Sequence, residues 1–349
     1  MNGRVSIRRV AATSAVAAAI LWCGPAAAQP ASSSGTLASF YKDHTVSLLI
    51  GFNTGGGYDT TGRLVARHMN RHIPGNPTLV VKNMPGAGSL NAANRIFNVS
   101  AKDGTEFGLF AGSIALDPLI GGTPAKFDAR EFTWIGSPNT DVSICLSWHD
   151  TPFKTLDDVL KSEMITGSAG TSTLSFPTAM NAVLGTKFKL VKGYNGTKDL
   201  NLAMERGEIQ GYCGTFLDSV KTTNPEWLRD KTVNVMVQMA LKKSPSLPDT
   251  PFIMDYAKTD DDRKVLQLIF AWLAMPRAFA APPGIPADRA GALREAFAAT
   301  ARDPAFVADA AKLGIDIDLV SSAEIDAILN EAYRTPKPLI ERASQLLER

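Results

Sequence analysis

The chain has 349 residues, 36 Lys and Arg against 34 Asp and Glu, 45% hydrophobic residues and three cysteines. That length fits roughly two domains, and the near balance of charge excludes nucleic-acid binding driven by bulk basicity. Three cysteines exclude a disulfide framework, and four histidines leave few ligands for a soft metal site, so no metal and no cofactor are expected.

Arg4, Arg8 and Arg9 precede a charge-free run from Val10 to Trp22, and Ala26-Ala27-Ala28 supplies small residues for a cleavage site. This order reads as a secretory leader over residues 1–28, cleaved after about Ala28. Trp22 before Cys23 is too large for lipoprotein processing, so no lipid anchor is expected. Ser, Ala, Gly and Pro dominate residues 29–36, which read as a flexible tether.

Val46–Ile50 then reads as a buried strand, Asn53–Gly57 as a loop, and Thr60–Ile73 as a helix ending before Pro74-Gly75. Thr78–Lys82 is a second strand, followed by Pro85-Gly86-Ala87-Gly88, a helix to about Phe97 and a strand over Thr105–Ala111. Such succession indicates a parallel sheet with crossover helices. The same grammar restarts after Pro138, with strands at Val142–Trp148 and Ile165-Thr166 and a helix over Thr155–Lys161. A loop over Gly167–Ser172 follows, then a helix that should hold Pro177 in its first turn and close at Gly185. Phe188–Lys192, Glu208–Cys213 and Val233–Met239 complete a second sheet, with Thr197 capping the helix that ends at Gly207. The tail from Ala287 reads as helical, with Leu293, Phe297, Phe306 and Leu313 facing a core. Cys145 and Cys213 both fall in strands of the second unit. They are either bridged or simply buried, and the sequence leaves both readings open.

Two loops invite a ligand. Asn53, Thr54, Gly55, Gly56, Gly57, Tyr58 and Asp59 lie between a strand and a helix, where glycines permit close backbone approach and the helix N-terminus favours an anion. The Gly-Lys-Ser/Thr ending of a P-loop is absent. Ser168, Thr171 and Ser172 place hydroxyls ahead of a second helix start, with Tyr194, Asn195 and Ser113 as further candidates. Gly86-Ala87-Gly88 echoes a dinucleotide fingerprint only weakly, because Asp103 precedes its strand. His68 and His72 have metal-ligand spacing without the Glu of a metalloprotease helix. No Gly-x-Ser-x-Gly elbow is present, so no catalytic residue is assigned.

The ordered set of motifs resembles the Bug (TctC-like) family, the extracytoplasmic receptors of tripartite tricarboxylate transporters. It comprises Phe52 with Gly55-Gly56, Asp59 and Arg63; Asn83-Met84-Pro85-Gly86-Ala87-Gly88; Asp103-Gly104-Thr105; Gly167–Ser172; Tyr194-Asn195-Gly196; Arg206-Gly207-Glu208; Leu247–Pro251; and Ala281–Pro286. Departures are Lys82 for the usual Glu, Gly51 for Pro, Asn53-Thr54 for small apolar residues, and the bulky Tyr58. The resemblance implies an α/β, two-lobe periplasmic-binding fold of type II-like form, with a ligand cleft between lobes joined by two crossovers. Lobe 1 would hold residues 37–138 and 253–349, and lobe 2 residues 139–252. It further implies a periplasmic monomer without catalysis that passes a small organic acid to membrane permease subunits; a secreted α/β hydrolase is the alternative. Two helix N-termini facing across the cleft would hold the acid without a buried arginine, and Tyr58 would stack on a flat ligand. Asp59, as a carboxylate, is expected to cap the helix, orient a water or accept from a ligand donor rather than meet the acid.

Overall fold

Apolar runs alternating with helices form two sheets in the computed structural model, which describes residues 33–121, 125–169 and 171–347. The expected leader and residues 29–32 of the tether lie outside the described residues. The strands are β1 (Thr45–Ile50), β2 (Thr78–Asn83), β3 (Glu106–Ala111), β4 (Thr133–Ser137), β5 (Ser143–Trp148), β6 (Met164–Ser168), β7 (Phe188–Lys192), β8 (Gly211–Phe216), β9 (Val233–Met239), β10 (Arg277–Ala281) and β11 (Val320–Ser321). One sheet has the order β11-β4-β10-β3-β1-β2 and the other β7-β6-β8-β5-β9. Both are mixed rather than purely parallel: β10 runs antiparallel to β3 and β4, and β5 antiparallel to β8 and β9. Central strands such as β3 and β5 are buried on both faces, which is why they read as continuous apolar runs.

Strand direction decides where a ligand can sit. The C-terminal ends of β1 and β3 share one edge of the first sheet with the start of β10, because β1 and β3 are parallel and β10 opposes β3. The C-terminal ends of β6, β7 and β8 share one edge of the second sheet with the start of β5. Residues 138–142 run from the end of β4 to the start of β5, and residues 240–276 from the end of β9 to the start of β10. Both connections therefore join these two edges, and the crevice outside the carboxyl ends of the strands opens between them.

One apolar cluster continues across the connection, from Phe110 and Trp134 through Phe270 and Leu273 to Phe176 and Met236. The outer layers have separate cores, around Val46, Leu64 and Phe279 in lobe 1 and around Leu146, Met204 and Trp227 in lobe 2. Cys145 and Cys213 are paired neighbours on β5 and β8, and a disulfide joins them.

Several expectations are corrected. Ser33–Lys42 is a helix, so the tether does not extend to residue 36; Leu37 and Tyr41 enter the lobe 1 core, and the Tyr41 hydroxyl donates to the Gly104 carbonyl at 3.3 Å. The helix Asp260–Phe270 and the terminal helix Lys337–Leu347 pack on Thr171–Leu184 of lobe 2, with Phe270 edge-on to Phe176. The terminal helix also packs on Asp117–Ile120 of lobe 1, so these two helices bridge the lobes. Pro177 lies well inside Thr171–Leu184, not in its first turn. Buried Phe176, Ala179 and Met180 hold the helix together across the proline, an instance of packing overriding local propensity. Leu313 is 45% exposed, unlike Leu293, Phe297 and Phe306. Gly196, not Thr197, is the N-cap of Thr197–Glu205.

Candidate functional site

At the lobe 1 edge, β1 leads through Gly51–Gly56 into the helix Gly57–Met69. Asn53, Thr54, Gly55, Gly56 and Gly57 are exposed, and the first-turn N–H groups of this helix have no acceptor within it. Gly55 has φ 86°, which only glycine adopts without strain, whereas Gly56 is extended at φ −85°. Buried Asp59 shapes this loop. Its carboxylate accepts from the Gly55 N–H at 2.9 Å, Asn83 Nδ2 at 2.8 Å and Arg63 Nε at 2.9 Å. Asn83 Nδ2 also donates to the Phe52 carbonyl and Arg63 Nη2 to Asn83 Oδ1, closing the network. Burial alone would raise the Asp59 pKa, but the bonds from Arg63, Asn83 and Gly55 overcome it and hold the carboxyl at about 2. The resemblance motif Gly-Gly, Asp59, Arg63 and Asn83 is thus a single brace.

Tyr58 is placed differently from the expectation. Its ring lies 3.8 Å from that of Phe52 at 10°, and its hydroxyl donates to the Pro276 carbonyl at 3.0 Å. Burial pushes the phenol up to about 12. One face is therefore covered by Phe52 and the polar tip is engaged, so Tyr58 ties the loop to the start of β10 rather than standing free to stack on a ligand. Ser113 lies half-buried in the turn Gly112–Ala115 after β3, at the same edge. The Gly86-Ala87-Gly88 loop is used in packing: Ser89, fully buried after it, accepts from the Ala111 N–H.

Across the crevice, Ser168 ends β6 and is buried, and Thr171 opens the helix Thr171–Leu184; the Thr171 side chain lies outside the described residues. The Ser172 hydroxyl donates to the Gly214 carbonyl at 2.8 Å, and the Ala169 N–H donates to Thr173 Oγ1 at 2.8 Å. Beyond β7, Tyr194 packs half-buried against the lobe 2 core. Asn195 donates through its backbone N–H and Nδ2 to Asp199 Oδ2, at 3.3 and 3.0 Å. The structure thus sets all thirteen candidate residues at the two facing edges, with Asp59, Tyr58, Ser172 and Asn195 bonded within their own lobes or to the connection.

Two residues missed by the sequence reading lie between these loops. Arg277 starts β10 opposite Ala111, with Cζ 5.9 Å from the Tyr58 ring centre and Nη1 donating to Asn139 Oδ1 at 3.3 Å. Asp141, in the first connection, accepts from the Val142 N–H, and burial pushes its carboxyl up to about 7 against the opposing pull of Arg277. Asp218 in lobe 2 is likewise raised by burial, with Lys221 opposing. Arg277 is half-buried, with its Nε atom withdrawn from solvent, so the crevice edge carries an arginine that the sequence reading did not name. The available signal was a lone charge opening the apolar run Ala278–Ala281.

The histidines lie away from both loops. His68 of the helix Gly57–Met69 and His72 in the turn after it bond the tail through Asp309 and Asp303, and His44 bonds the Phe40 carbonyl. Among the described residues no group of three or more His, Cys, Asp or Glu is placed to hold a metal, and no helix is long and apolar enough to cross a membrane. A cavity of about 460 Å³ lies along the two connections, lined by Asp141, Leu241, Lys242, Leu273, Asp318 and Ile328.

No family model matches the chain. An Agrobacterium vitis protein described as a UPF0065 protein from the TAR-I ttuE–ttuC′ intergenic region is 26% identical over 298 residues, covering 82% of this chain and 80% of that protein. A TctC solute-binding protein from Polaromonas superposes with a TM-score of 0.68 at 18% identity, over 86% of this chain and 99% of its own. MatC from Rhodopseudomonas palustris, solved with bound malate, superposes at 0.55 with 20% identity, over 87% and 99% of the two chains. A second R. palustris protein, solved with adipate, superposes at 0.58 with 17% identity, over 86% and 97%. The chain has the fold of the TctC-type (Bug) solute-binding proteins, the family its ordered motifs resemble.

Proposed function

We propose that this chain is a receptor that binds a small organic acid between its lobes and delivers it to the membrane permease of a tripartite tricarboxylate-type transporter. The observation that carries this reading is the pair of loop-to-helix junctions, Gly55–Tyr58 and Ser168–Ser172, set at facing sheet edges. Each presents first-turn backbone donors where an anion is favoured. One carboxylate meets the glycine loop; the other polar end meets Ser168, Thr171 and Ser172, with Ser113, Tyr194 and Asn195 alongside. Asn53 and Thr54 shape the mouth, and Asp59 and Tyr58 hold the loop rather than touch the acid. Closing the lobes removes water and strengthens each of these bonds. It also gives the permease a surface that differs between loaded and empty receptor.

The similar R. palustris proteins carry dicarboxylates, malate and adipate, which supports the ligand class. In this reading the leader over 1–28 exports the receptor to the periplasm, where it acts as a monomer. The reading without catalysis is supported by His44, His68 and His72, whose ring nitrogens bond away from both loops. A thermal-shift panel of succinate, malate, adipate, citrate and benzoate tests the reading. At least one di- or tricarboxylate should raise the melting temperature in a concentration-dependent way. No shift with any acid would contradict it.

A further inference from the structure

We infer that Arg277 is the cationic anchor of the cleft, pairing through Nε and a terminal nitrogen with a carboxylate of the bound acid. This deepens the receptor reading and rests on it. Arg277 stands where the two connections meet lobe 1. It opens β10, where the second connection enters lobe 1, and bonds Asn139 in the first connection. Its charge is also felt by Asp218 of lobe 2.

The side chain is under-satisfied for such a place. Its Nε is buried without a hydrogen-bond partner, and the bond to Asn139 is long and made to a neutral amide. Among the described residues no carboxylate comes within ion-pair distance of it, although fourteen ion pairs form elsewhere in the protein. A guanidinium offers five donors in a planar fork that matches a carboxylate, and withdrawing such a donor from water unpaired is costly. Asp141 feels the charge of Arg277, but its carboxylate bonds the adjacent Val142 N–H instead. Asp59, the other buried acid at this edge, is consumed by Arg63 and Asn83. The missing partner is therefore an anion from outside, and the site would hold it beside the Tyr58 ring and Asn139. A neutral solute can accept from Nε but leaves the guanidinium charge uncompensated.

Arg277→Gln and Arg277→Lys separate charge from fork geometry. Calorimetry with the succinate, malate, adipate, citrate and benzoate panel is expected to show at least a hundredfold weaker binding for Arg277→Gln. Arg277→Lys should lose about tenfold, because it keeps the charge but not the bidentate pair. Melting temperatures without acid report the fold of each variant. If Arg277→Gln does not fold, the Arg277→Lys comparison decides alone. An acid that binds wild type and the folded variants equally overturns the anchor while leaving the receptor reading intact. No binding by wild type to any member overturns both.

Discussion

The two loops that face each other across the crevice are held by different chemistry. The lobe 1 loop is braced by an ionic network in which Asp59 gathers Gly55, Asn83 and Arg63. The lobe 2 junction is braced by neutral bonds, Ser172 to the Gly214 carbonyl and Ala169 to Thr173. In both, the bracing side chains bond back into their own lobe. The ionic brace gives lobe 1 a loop that glycine can keep open without collapse, because its one left-handed residue, Gly55, is pinned by Asp59. The neutral brace gives lobe 2 a shorter junction tied directly to the adjacent strand. On the proposed receptor reading, the fixed charges stay paired away from the acid, with Arg277 as the exception at the junction.

Breaking the ionic brace should have the larger effect. Asp59→Ala leaves three donors without their acceptor, and urea unfolding should show a loss of about 3 kcal/mol. The same bonds hold the Asp59 pKa at about 2 against 3.8, so the stability they contribute is present above about pH 4 and is lost as pH falls towards 2.

Asp141, between the loops, has the opposite sign. Its folded pKa lies near 7 against 3.8, so the folded protein binds the extra proton and stability falls as pH rises from about 4 to 7, then levels. Asp141→Asn should remove that slope and stabilise the protein at pH 8 by on the order of 2 kcal/mol. Melting curves from pH 5 to 8 read it, and an unchanged slope in the variant would refute the assignment. The smallest effect is expected in lobe 2: Ser172→Ala removes one neutral bond, for a loss of about 1 kcal/mol in the same urea experiment. Equal losses for Asp59→Ala and Ser172→Ala would erase the contrast between the loops.

Much of this arrangement was legible in the residues. Alternating strands and helices and the glycine loops located both edges, since glycine and proline punctuate structure locally. The strands β4, β10 and β11 were not recovered, because they are short and placed by antiparallel pairing with distant segments. The lobe 2 packing of Asp260–Phe270 and Lys337–Leu347 was hidden for the same reason: an amphipathic helix declares its apolar face but not which core it meets. At the site, the motif residues Asp59, Arg63 and Asn83 were recognisable while their mutual bonding was not. Arg277 and Asp141 escaped because their significance comes from burial and neighbours, which no local spacing encodes.

The central claim is that an acid reaches the backbone of the lobe 1 loop, and Gly56→Val tests it most directly. Gly56 is extended, and a Cβ there would meet nothing nearer than the Asn53 carbonyl at 3.9 Å, so the variant should fold with an unchanged melting temperature. Calorimetry with the tightest-binding acid of the panel should show affinity reduced by more than about tenfold, ~1.4 kcal/mol, because the side chain occupies the space of the carboxylate. Wild-type affinity in a folded Gly56→Val protein would place the acid elsewhere and contradict the account.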